Sequence, residues 1–536
     1  MSAVAPYGSW RSPISADMAA GSAVRFQEAC VAGDAVYWVE LRPAERGRCV
    51  LMRLDANGRQ SEVTPPEMYV RTRVHEYGGG ASMVGDGFVA YANFADQRLY
   101  VQRGGDAPRA ITQAGYRYAD GVADARRNRL ICVREDHTVE DREAINSIVA
   151  VDLDGAIPDV TLASGYDFYS NPRLNADGSQ LVWIAWNHPQ MPWTKTELWL
   201  ADVRPDGNVA NARCLVRGDE SVNQPVWTED GSLLFLSDRS GWWNLYRWAE
   251  GGSQPLLERE AEFGRPQWVF GEPTYGVRRG NRVVCSYSTE GRWRLGELDL
   301  ASGIWREIDT PFTSIGSLNV ADTHAVFIGG SPTQANAVVR LDLESGECET
   351  LRCSSDLQID TAYVSVPQTA EFPTENGLKA HGFFYAPHNA DFFGPDGERP
   401  PLIVISHGGP TSATTDVLSL SVQYWTSRGI AVLDVNYGGS AGYGRAYRQR
   451  LNGAWGIVDV DDCVNGARWL AAQGLVDGER MVIRGGSAGG FTTLAALTFG
   501  DAFRAGASYY GVSDLEALAL ETHKFESRYL DGLIGP

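Results

Sequence analysis

The stretch MVIRGGSAGGFTTLAALTF (481–499) predicts a buried strand, a tight glycine turn with Ser487 at its apex, and a helix that begins directly behind the serine. Its centre fits G-x-S-x-G, the nucleophile-elbow pattern of α/β-hydrolases. Such a turn needs very small residues two positions before and two positions after the serine, and Gly485 and Gly489 stand there. The N-terminus of the following helix points backbone N–H groups at a developing oxyanion. Ser487 is therefore the predicted nucleophile, and the N–H of Ala488 is a predicted oxyanion donor.

A second copy of GGSAG occupies 438–442 and offers Ser440 as an alternative nucleophile. This copy also follows an apolar strand, but the residues after its serine are AGYGRAYRQRLNG. Gly442 and Gly444 fall where a first helical turn would form, and a glycine inside a helix costs about 1 kcal/mol relative to alanine. We interpret this copy as a flexible loop at the carboxyl edge of the sheet, and we do not expect Ser440 to be the nucleophile.

The segment PLIVISHGGPTS (401–412) predicts a buried strand that ends in a His-Gly-Gly-Pro loop. This loop resembles the HGGG-type oxyanion loop of esterases, in which glycines let the backbone approach a substrate oxygen closely. The N–H of Gly409 is the predicted second oxyanion donor, and the alternative is a plain glycine turn at a strand end. We expect His407 to orient the loop rather than to act as a base, because hydrolases of this fold carry their base after the nucleophile.

Strands and helices alternate after about residue 360. The run IAVLDVNY (430–437) is continuously apolar, as in strands that are buried on both faces of a parallel sheet. Helical patterns at 460–474 and 491–499 alternate with strands at 481–484 and 505–511. This alternation predicts a doubly wound, mostly parallel sheet, which is the architecture of an α/β-hydrolase domain.

Before about residue 355 the chain consists of short strands separated by turn residues. The pair LVWIAW (181–186) and TELWLADV (196–203) is one example, and the same two-strand unit begins near Val36, Phe88, Leu130, Leu181, Leu233, Val283 and Val326. A repeat of about 40–50 residues with four short strands is typical of a β-propeller blade. We therefore predict an N-terminal extension at 1–30, a seven-bladed β-propeller at 31–355 and an α/β-hydrolase domain at 356–536.

The composition excludes several classes of function. The 536 residues carry a formal net charge of −20, which disfavours nucleic acid and anionic membranes as partners. The N-terminus has no basic segment followed by an apolar one, and no stretch approaches the run of about 18 apolar residues that crosses a bilayer. The eight cysteines are scattered without a histidine cluster, so reduced thiols are expected. We expect a cytoplasmic protein with no metal and no organic cofactor.

The chain resembles the prolyl oligopeptidase family of serine peptidases, and especially its acylaminoacyl-peptidase and dipeptidyl-aminopeptidase-like branch. The likeness is carried by SHGGPTS (406–412), NYGGSAGYGRAYRQRLNGAWGIVDVDDC (436–463), RGGSAGG (484–490) and YYGVSDLEAL (509–518), and in the first region by TRVHEYGGGA (72–81), WNHPQMPW (186–193) and SDRSGWWNLY (237–246). The resemblance implies a propeller that caps the hydrolase domain, short peptides as substrates, and a site between the two domains. It also implies Ser487 as nucleophile, with Ala488 and Gly409 as oxyanion donors.

The same resemblance implies an apolar substrate pocket that includes Val512, Leu515 and Leu518. Dipeptidyl peptidases of the family carry large aromatic residues on that wall, so a preference for proline is not implied. They also hold a free N-terminus with two adjacent glutamates, whereas this chain contains no Glu-Glu dipeptide. Glu76 and Glu135 could each contribute a single carboxylate, but we expect a solvated or structural role for both.

The acid and the base of the catalytic triad are not found after the predicted nucleophile. In this fold the triad follows the order Ser, Asp or Glu, His, and Ser487 lies 49 residues from the C-terminus. One strand and one helical segment occupy that length. His523, in ETHKFESRY, is expected to be helical and non-catalytic, and Asp514 is expected to be a turn or cap residue. We therefore expect the hydrolase domain to be incomplete, the triad acid and base to lie beyond residue 536, and the chain by itself to be inactive.

Three functions stay open from the sequence. The first is a serine peptidase of the dipeptidyl, acylaminoacyl or oligopeptidase type that acts through an acyl-enzyme at Ser487. The second is a carboxylesterase that uses the same machinery, and the third is a propeller that serves as a binding module without catalysis. The cleavage preference, exo- or endopeptidase action and assembly into a homo-oligomer are also left open.

Overall fold

In the computed structural model, which describes residues 2–21, 23–140, 142–249, 251–357 and 359–535, seven four-stranded antiparallel sheets precede one six-stranded mixed sheet. The two predicted folds, a seven-bladed propeller and an α/β-hydrolase domain, are confirmed. The second strand of each four-stranded sheet begins within one or two residues of a repeat start taken from the sequence. The repeat was recognisable because each of these second strands carries a run of apolar residues.

The strands of a blade follow one another in the order of the chain. They are, in blade 1, Arg25–Ala32, Ala35–Arg42, Arg48–Leu54 and Gln60–Glu62; in blade 2, Ser82–Gly85, Phe88–Ala92, Leu99–Arg103 and Arg109–Ala110; in blade 3, Tyr116–Asp124, Arg129–Asp136, Ile145–Asp152 and Val160–Ala163; in blade 4, Phe168–Leu174, Gln180–Trp186, Glu197–Val203 and Val209–Arg217; in blade 5, Val222–Trp227, Leu233–Ser237, Asn244–Ala249 and Gly252–Pro255; in blade 6, Tyr275–Arg278, Arg282–Thr289, Arg292–Asp299 and Trp305–Ile308; and in blade 7, Ser314–Val320, His324–Ser331, Gln334–Asp342 and Cys348–Cys353. The first strand begins at Arg25, on the N-terminal side of the boundary expected at residue 31.

Blade 1 and blade 7 meet through a buried carboxylate. Glu40 of blade 1 is fully buried and accepts a hydrogen bond from Nε of Arg352 of blade 7 at 3.0 Å. The same oxygen accepts from Nε1 of Trp38 at 3.1 Å, and the other oxygen accepts from Nε of Arg42 at 2.8 Å. A buried carboxylate is tolerated only when its lone pairs are satisfied in this way. Glu40 therefore ties the last blade to the first.

The hydrolase sheet has four mutually parallel strands at its centre and one edge. In spatial order its strands are Gln368–Pro373, Lys379–Tyr385, Ala431–Asn436, Leu402–Ser406, Met481–Gly486 and Ala505–Tyr509. The last four are parallel to one another, and the first two are antiparallel to their neighbours. The sheet is therefore mostly parallel, as predicted. The two antiparallel strands were missed, because their polar residues and the nearby linker obscure the pattern of a buried strand.

The helices of the hydrolase domain lie between its strands and after the last one. They are Leu420–Thr426, Arg445–Arg448, Val458–Ala472, Ala488–Phe499, Leu515–Glu521 and Tyr529–Leu533. The N-terminal segment, with its helix Ala16–Ala20, packs on this domain rather than on the propeller alone, since the short strand Ala3–Val4 pairs in parallel with Phe392–Phe393. No helix among the described residues is both long enough and apolar enough to cross a bilayer.

A buried ion-pair network joins the two domains. Arg448 of the hydrolase domain is 5% exposed, and its Nη2 lies 2.5 Å from Oδ2 of Asp238 of the propeller. Its Nη1 lies 3.5 Å from Oε1 of Glu262, and its guanidinium lies 4.0 Å from the ring centroid of Trp243. Arg445 adds a contact of 3.0 Å to the other oxygen of Asp238. Both buried acids of the propeller therefore pair with arginines of the hydrolase domain.

Replacement of Arg448 by methionine should destabilise the folded chain by about 3–5 kcal/mol, because Glu262 would stay buried without an ion-pair partner and Asp238 would keep only Arg445. Urea unfolding followed by tryptophan fluorescence measures this loss.

The matched control is Arg468→Met, since Arg468 and its partner Asp501 are both exposed. Exposed ion pairs contribute about 0–1 kcal/mol, so this variant should unfold close to the wild type. Equal unfolding midpoints for the two variants would contradict a stabilising role of the buried network.

Candidate active site

Ser487 sits at the turn between the strand Met481–Gly486 and the helix Ala488–Phe499. Its backbone has φ 54° and ψ −121°, a conformation that costs a residue with a side chain roughly 1–3 kcal/mol. Hydrogen bonds over-determine this conformation. The N–H of Ser487 donates to the carbonyl of Tyr509 at 3.1 Å, and its own carbonyl accepts from the N–H of Gly490 at 3.0 Å. The strain is the kind expected of a nucleophile elbow.

Close backbone packing explains the two glycines that flank the serine. A Cβ atom at Gly489 would overlap the carbonyl oxygen of Ser406 on the neighbouring strand. A Cβ atom at Gly485 would overlap the carbonyl oxygen of Gly489. Neither glycine has a positive φ, so the requirement is for space and not for a special backbone angle. The turn can form only where both side chains are absent.

The His-Gly-Gly-Pro loop lies beside Ser487. A Cβ atom at Gly408 would stand 3.5 Å from Cβ of Ser487, and Gly409 lines the same cavity as the serine. Within the described part of the chain, the N–H groups of Gly409 and Ala488 donate no hydrogen bond. Two free donors beside a hydroxyl are what an oxyanion hole requires. The roles of Gly409 and Ala488 remain predictions.

The second GGSAG copy, which we interpreted from the sequence as a flexible loop at the carboxyl edge of the sheet, is buried. Ser440 is fully buried, and its hydroxyl lies 2.7 Å from Nε2 of His407. Burial lowers the pKa of His407 to about 4, so the imidazole is neutral at neutral pH. Nδ1 of His407 lies 2.8 Å from the carbonyl oxygen of Gly408 and must donate to it, so Nε2 accepts from Ser440.

His407 is also held by an aromatic stack. Its ring lies 4.3 Å from that of Tyr437, centroid to centroid, and the Tyr437 hydroxyl donates to the His407 carbonyl at 3.0 Å. The N–H of Ala441 donates to the carbonyl of Ser412 at 2.8 Å. The second GGSAG loop therefore packs against the His-Gly-Gly-Pro loop and holds it in place.

A cavity of about 440 Å³ separates the propeller from the hydrolase domain at the serine. The hydrolase domain contributes Ser487 and Gly409 to its wall, and the propeller contributes Arg265, Trp268 and Trp293. The domain resemblance implied a site in this place, but the sequence did not reveal these three propeller residues. They stand on the connection between blades 5 and 6 and on blade 6, and no local motif marks them.

The three residues predicted to form an apolar pocket are not part of this cavity wall, although the N–H of Val512 donates to the carbonyl of Ser487 at 3.3 Å. Val512, Leu515 and Leu518 are partly buried and pack against a hydrophobic cluster that contains residues of both domains. They do not line the interdomain cavity. Their role as a substrate pocket stays a prediction that this geometry does not support.

The acidic residues singled out from the propeller are engaged with neighbouring side chains. Glu76 pairs with Arg73 and lies 3.6 Å from Nη1 of Arg117. Glu135 is buried, accepts from the N–H of His75 at 2.9 Å and lies 3.0 Å from Nε2 of His137. Both environments fit a structural role.

No histidine of the described residues forms a hydrogen bond with the hydroxyl of Ser487. His523 lies 3.6 Å from Glu526 and packs edge-on against Tyr77. Asp514 caps the helix Leu515–Glu521 by accepting from the N–H of Ala517 at 3.0 Å. Neither residue forms a hydrogen bond with Ser487 among the described residues. Asp514 is a cap residue, as expected, whereas His523 lies between the helices Leu515–Glu521 and Tyr529–Leu533 and is not helical as expected.

Known proteins resemble both halves of this architecture. Residues 417–535 match the model of the prolyl oligopeptidase family. The acylamino-acid-releasing enzyme of Arabidopsis thaliana is 40% identical over 349 residues, which cover 60% of this chain and 41% of that enzyme. The matched segments span 13% to 41% of the curated relatives, so this chain accounts for less than half of their length.

Two solved structures superpose on the whole chain. A puromycin hydrolase is 41% identical with a TM-score of 0.94, and the match covers all of this chain and 85% of that one. A puromycin-hydrolyzing peptidase of Mycobacterium tuberculosis is 40% identical with a TM-score of 0.96, and the match covers all of this chain and 84% of that one. The likeness therefore includes the arrangement of the two domains.

Replacement of Ser440 by alanine should destabilise the chain by about 1–3 kcal/mol, because Nε2 of His407 would be left buried without a hydrogen-bond donor. Imidazole NMR resonances of His407 should shift while those of His523 stay in place, and urea unfolding gives the free energy. Unchanged His407 resonances would show that the hydrogen bond is absent in solution.

Replacement of Gly489 by alanine should cost about 2–3 kcal/mol through overlap with the Ser406 carbonyl. Gly532, which lies in the helix Tyr529–Leu533 with open space at its Cβ position, is the matched control. Its replacement by alanine should be neutral or stabilise by about 0.5–1 kcal/mol. Thermal unfolding of the two variants provides the comparison, and a tolerated alanine at 489 would contradict the packing argument.

Proposed function

This chain belongs to the prolyl oligopeptidase family, and we propose that it is a serine peptidase that cleaves short peptides through an acyl-enzyme at Ser487. The observation that carries the proposal is the strained turn at Ser487, which opens together with Gly409 into the interdomain cavity. The serine hydroxyl is thereby presented where a bound peptide carbonyl could meet it.

The proposed reaction begins with attack of Oγ of Ser487 on the peptide carbonyl carbon. The carbonyl oxygen takes the negative charge and accepts hydrogen bonds from the N–H groups of Ala488 and Gly409. The C–N bond then breaks, the leaving amine takes a proton, and the acyl group stays on Oγ as an ester. Water hydrolyses this ester and restores the hydroxyl. The proton transfers require a general base, and in this fold that base is a histidine.

The cavity supports small substrates. Its volume of about 440 Å³ falls in the range of about 300–1,000 Å³ that is usual for small-ligand sites. The propeller covers the serine on one side, since Trp268 donates from Nε1 to the carbonyl of Thr411 across the domain boundary at 2.7 Å. Short peptides fit this enclosure, whereas a folded protein chain does not.

The proposal includes a reducing compartment such as the cytoplasm. All eight cysteines are free thiols, and four of them are buried. Free buried cysteines are usual where glutathione and thioredoxin keep thiols reduced.

The nucleophile is tested with a fluorophosphonate probe, which forms a covalent bond to an activated serine. The probe is applied to residues 1–536 and to the product of the whole reading frame from which they come, and mass spectrometry locates the adduct. We expect the adduct on Ser487, its loss in Ser487→Ala and its retention in Ser440→Ala.

The substrate class is tested with the same proteins. Aminoacyl-naphthylamides and acyl-aminoacyl amides report peptidase action, and nitrophenyl esters report esterase action. If the proteins turn over the esters but neither amide substrate, the activity is that of a carboxylesterase and not of a peptidase. An adduct on Ser440, or no adduct in either protein, would refute the acyl-enzyme at Ser487 and leave the propeller as a binding module.

A further inference from the structure

Arg265 is a partly buried cation in the wall of the interdomain cavity. Its guanidinium lies 4.1 Å from the ring centroid of Trp293, and its Nη2 donates to the carbonyl of Ile315 at 2.7 Å. Its Nε is buried and has no hydrogen-bond partner among the described residues. Most of the hydrogen-bonding capacity of this side chain is therefore unused.

No described carboxylate pairs with Arg265 within 4.0 Å. The contrast with other arginines of the domain interface is sharp. Arg448 is paired with two buried carboxylates, and Nε of Arg292 lies 2.8 Å from Oδ2 of the buried Asp416. A desolvated cation without a counter-ion is unfavourable and is retained where a ligand can supply the missing charge.

Among the described residues, two charged side chains line the cavity, Arg265 and Glu272. Burial lowers the pKa of Arg265, and the carboxylate of Glu272, which lines the same cavity, opposes this effect from beyond pairing distance. A guanidinium remains protonated in proteins under all ordinary conditions. Its planar N–H groups match the two oxygens of a carboxylate better than they match a single carbonyl oxygen.

We propose that Arg265 is the binding site for a carboxylate of the peptide substrate. This inference rests on the proposed peptidase function, because the shared cavity puts the carboxylate on the same molecule whose carbonyl meets Ser487. Trp268 and Trp293 form the apolar walls along which the intervening residue packs. The carboxylate can come from the C-terminus of a short peptide or from an aspartate or glutamate side chain.

The test measures peptide binding without turnover, in the full chain that carries Ser487→Ala. The probes are tetra-alanine with a free C-terminus, its C-terminal amide, and the amide of a tetrapeptide in which one alanine is aspartate. Quenching of tryptophan fluorescence and isothermal titration report the affinity. We expect the free acid to bind at least about tenfold more tightly than the amide, which corresponds to about 1.4 kcal/mol.

Two substitutions and one control decide whether Arg265 is responsible. Arg265→Gln should remove the preference for the acid and leave the affinity for the amide unchanged, and Arg265→Lys should retain part of the preference. Arg213→Gln, at an exposed arginine of blade 4, should behave like the wild type. Circular dichroism and thermal unfolding show whether each variant is folded, and Arg265→Lys takes the place of Arg265→Gln if the latter is not.

The three peptide probes also identify the source of the carboxylate. If only the free acid binds tightly, the carboxylate that Arg265 binds is the C-terminus of the peptide. If the aspartate-containing amide binds tightly, that carboxylate is a side chain. Equal affinity for acid and amide, an equal loss for both in Arg265→Gln, or no binding of any probe would overturn the proposal. A retained acid preference without a fluorophosphonate adduct on Ser487 would refute the peptidase function and leave Arg265 as a carboxylate site.

Discussion

The close approach of the strand Leu402–Ser406 to the turn at Ser487 is the constraint on which the site depends. The carbonyl of Ser406 occupies the space that any side chain at Gly489 would need. This contact brings the strand that ends in the His-Gly-Gly-Pro loop next to the serine, so Gly409 and Ser487 line the same cavity. The strained backbone at Ser487, with its positive φ, is maintained because the surrounding hydrogen bonds hold it in place.

The features read from the sequence were those that short-range patterns determine. The turn at Ser487 was predictable because local packing requires glycine at 485 and 489. The propeller was predictable because an apolar strand recurs in each blade. The residues of the propeller that line the cavity could not be predicted from the sequence. Arg265 and Trp268 line the same cavity as Ser487 because the propeller places the connection between blades 5 and 6 against the hydrolase domain.

The loop at Ser440 shows why a local interpretation can fail. Its glycines do disfavour a regular helix, and a helix of only four residues, Arg445–Arg448, follows them. What the local pattern could not reveal is that Arg445 and Arg448 pair with acids of the propeller more than 200 residues away. These contacts bury the loop, and burial turns Ser440 into the hydrogen-bond partner of His407.

The same short segment therefore serves the domain contact and the predicted oxyanion loop. Arg448 and Gly444 both contact acids of the propeller, and the N–H of Gly444 donates to Glu262 at 3.1 Å. Four residues before Gly444, Ser440 forms the hydrogen bond with His407. A second contact runs directly from the propeller, where Thr313 donates to Asp416 at 2.6 Å beyond the His-Gly-Gly-Pro loop. A third contact is the donation from Nε1 of Trp268 to the carbonyl of Thr411 at 2.7 Å, whereas the hydrogen bond between Ser440 and His407 lies within the hydrolase domain. The position of the propeller and the geometry offered to a substrate carbonyl are thus coupled through contiguous packed side chains, and the propeller forms part of the framework of the site as well as its cover.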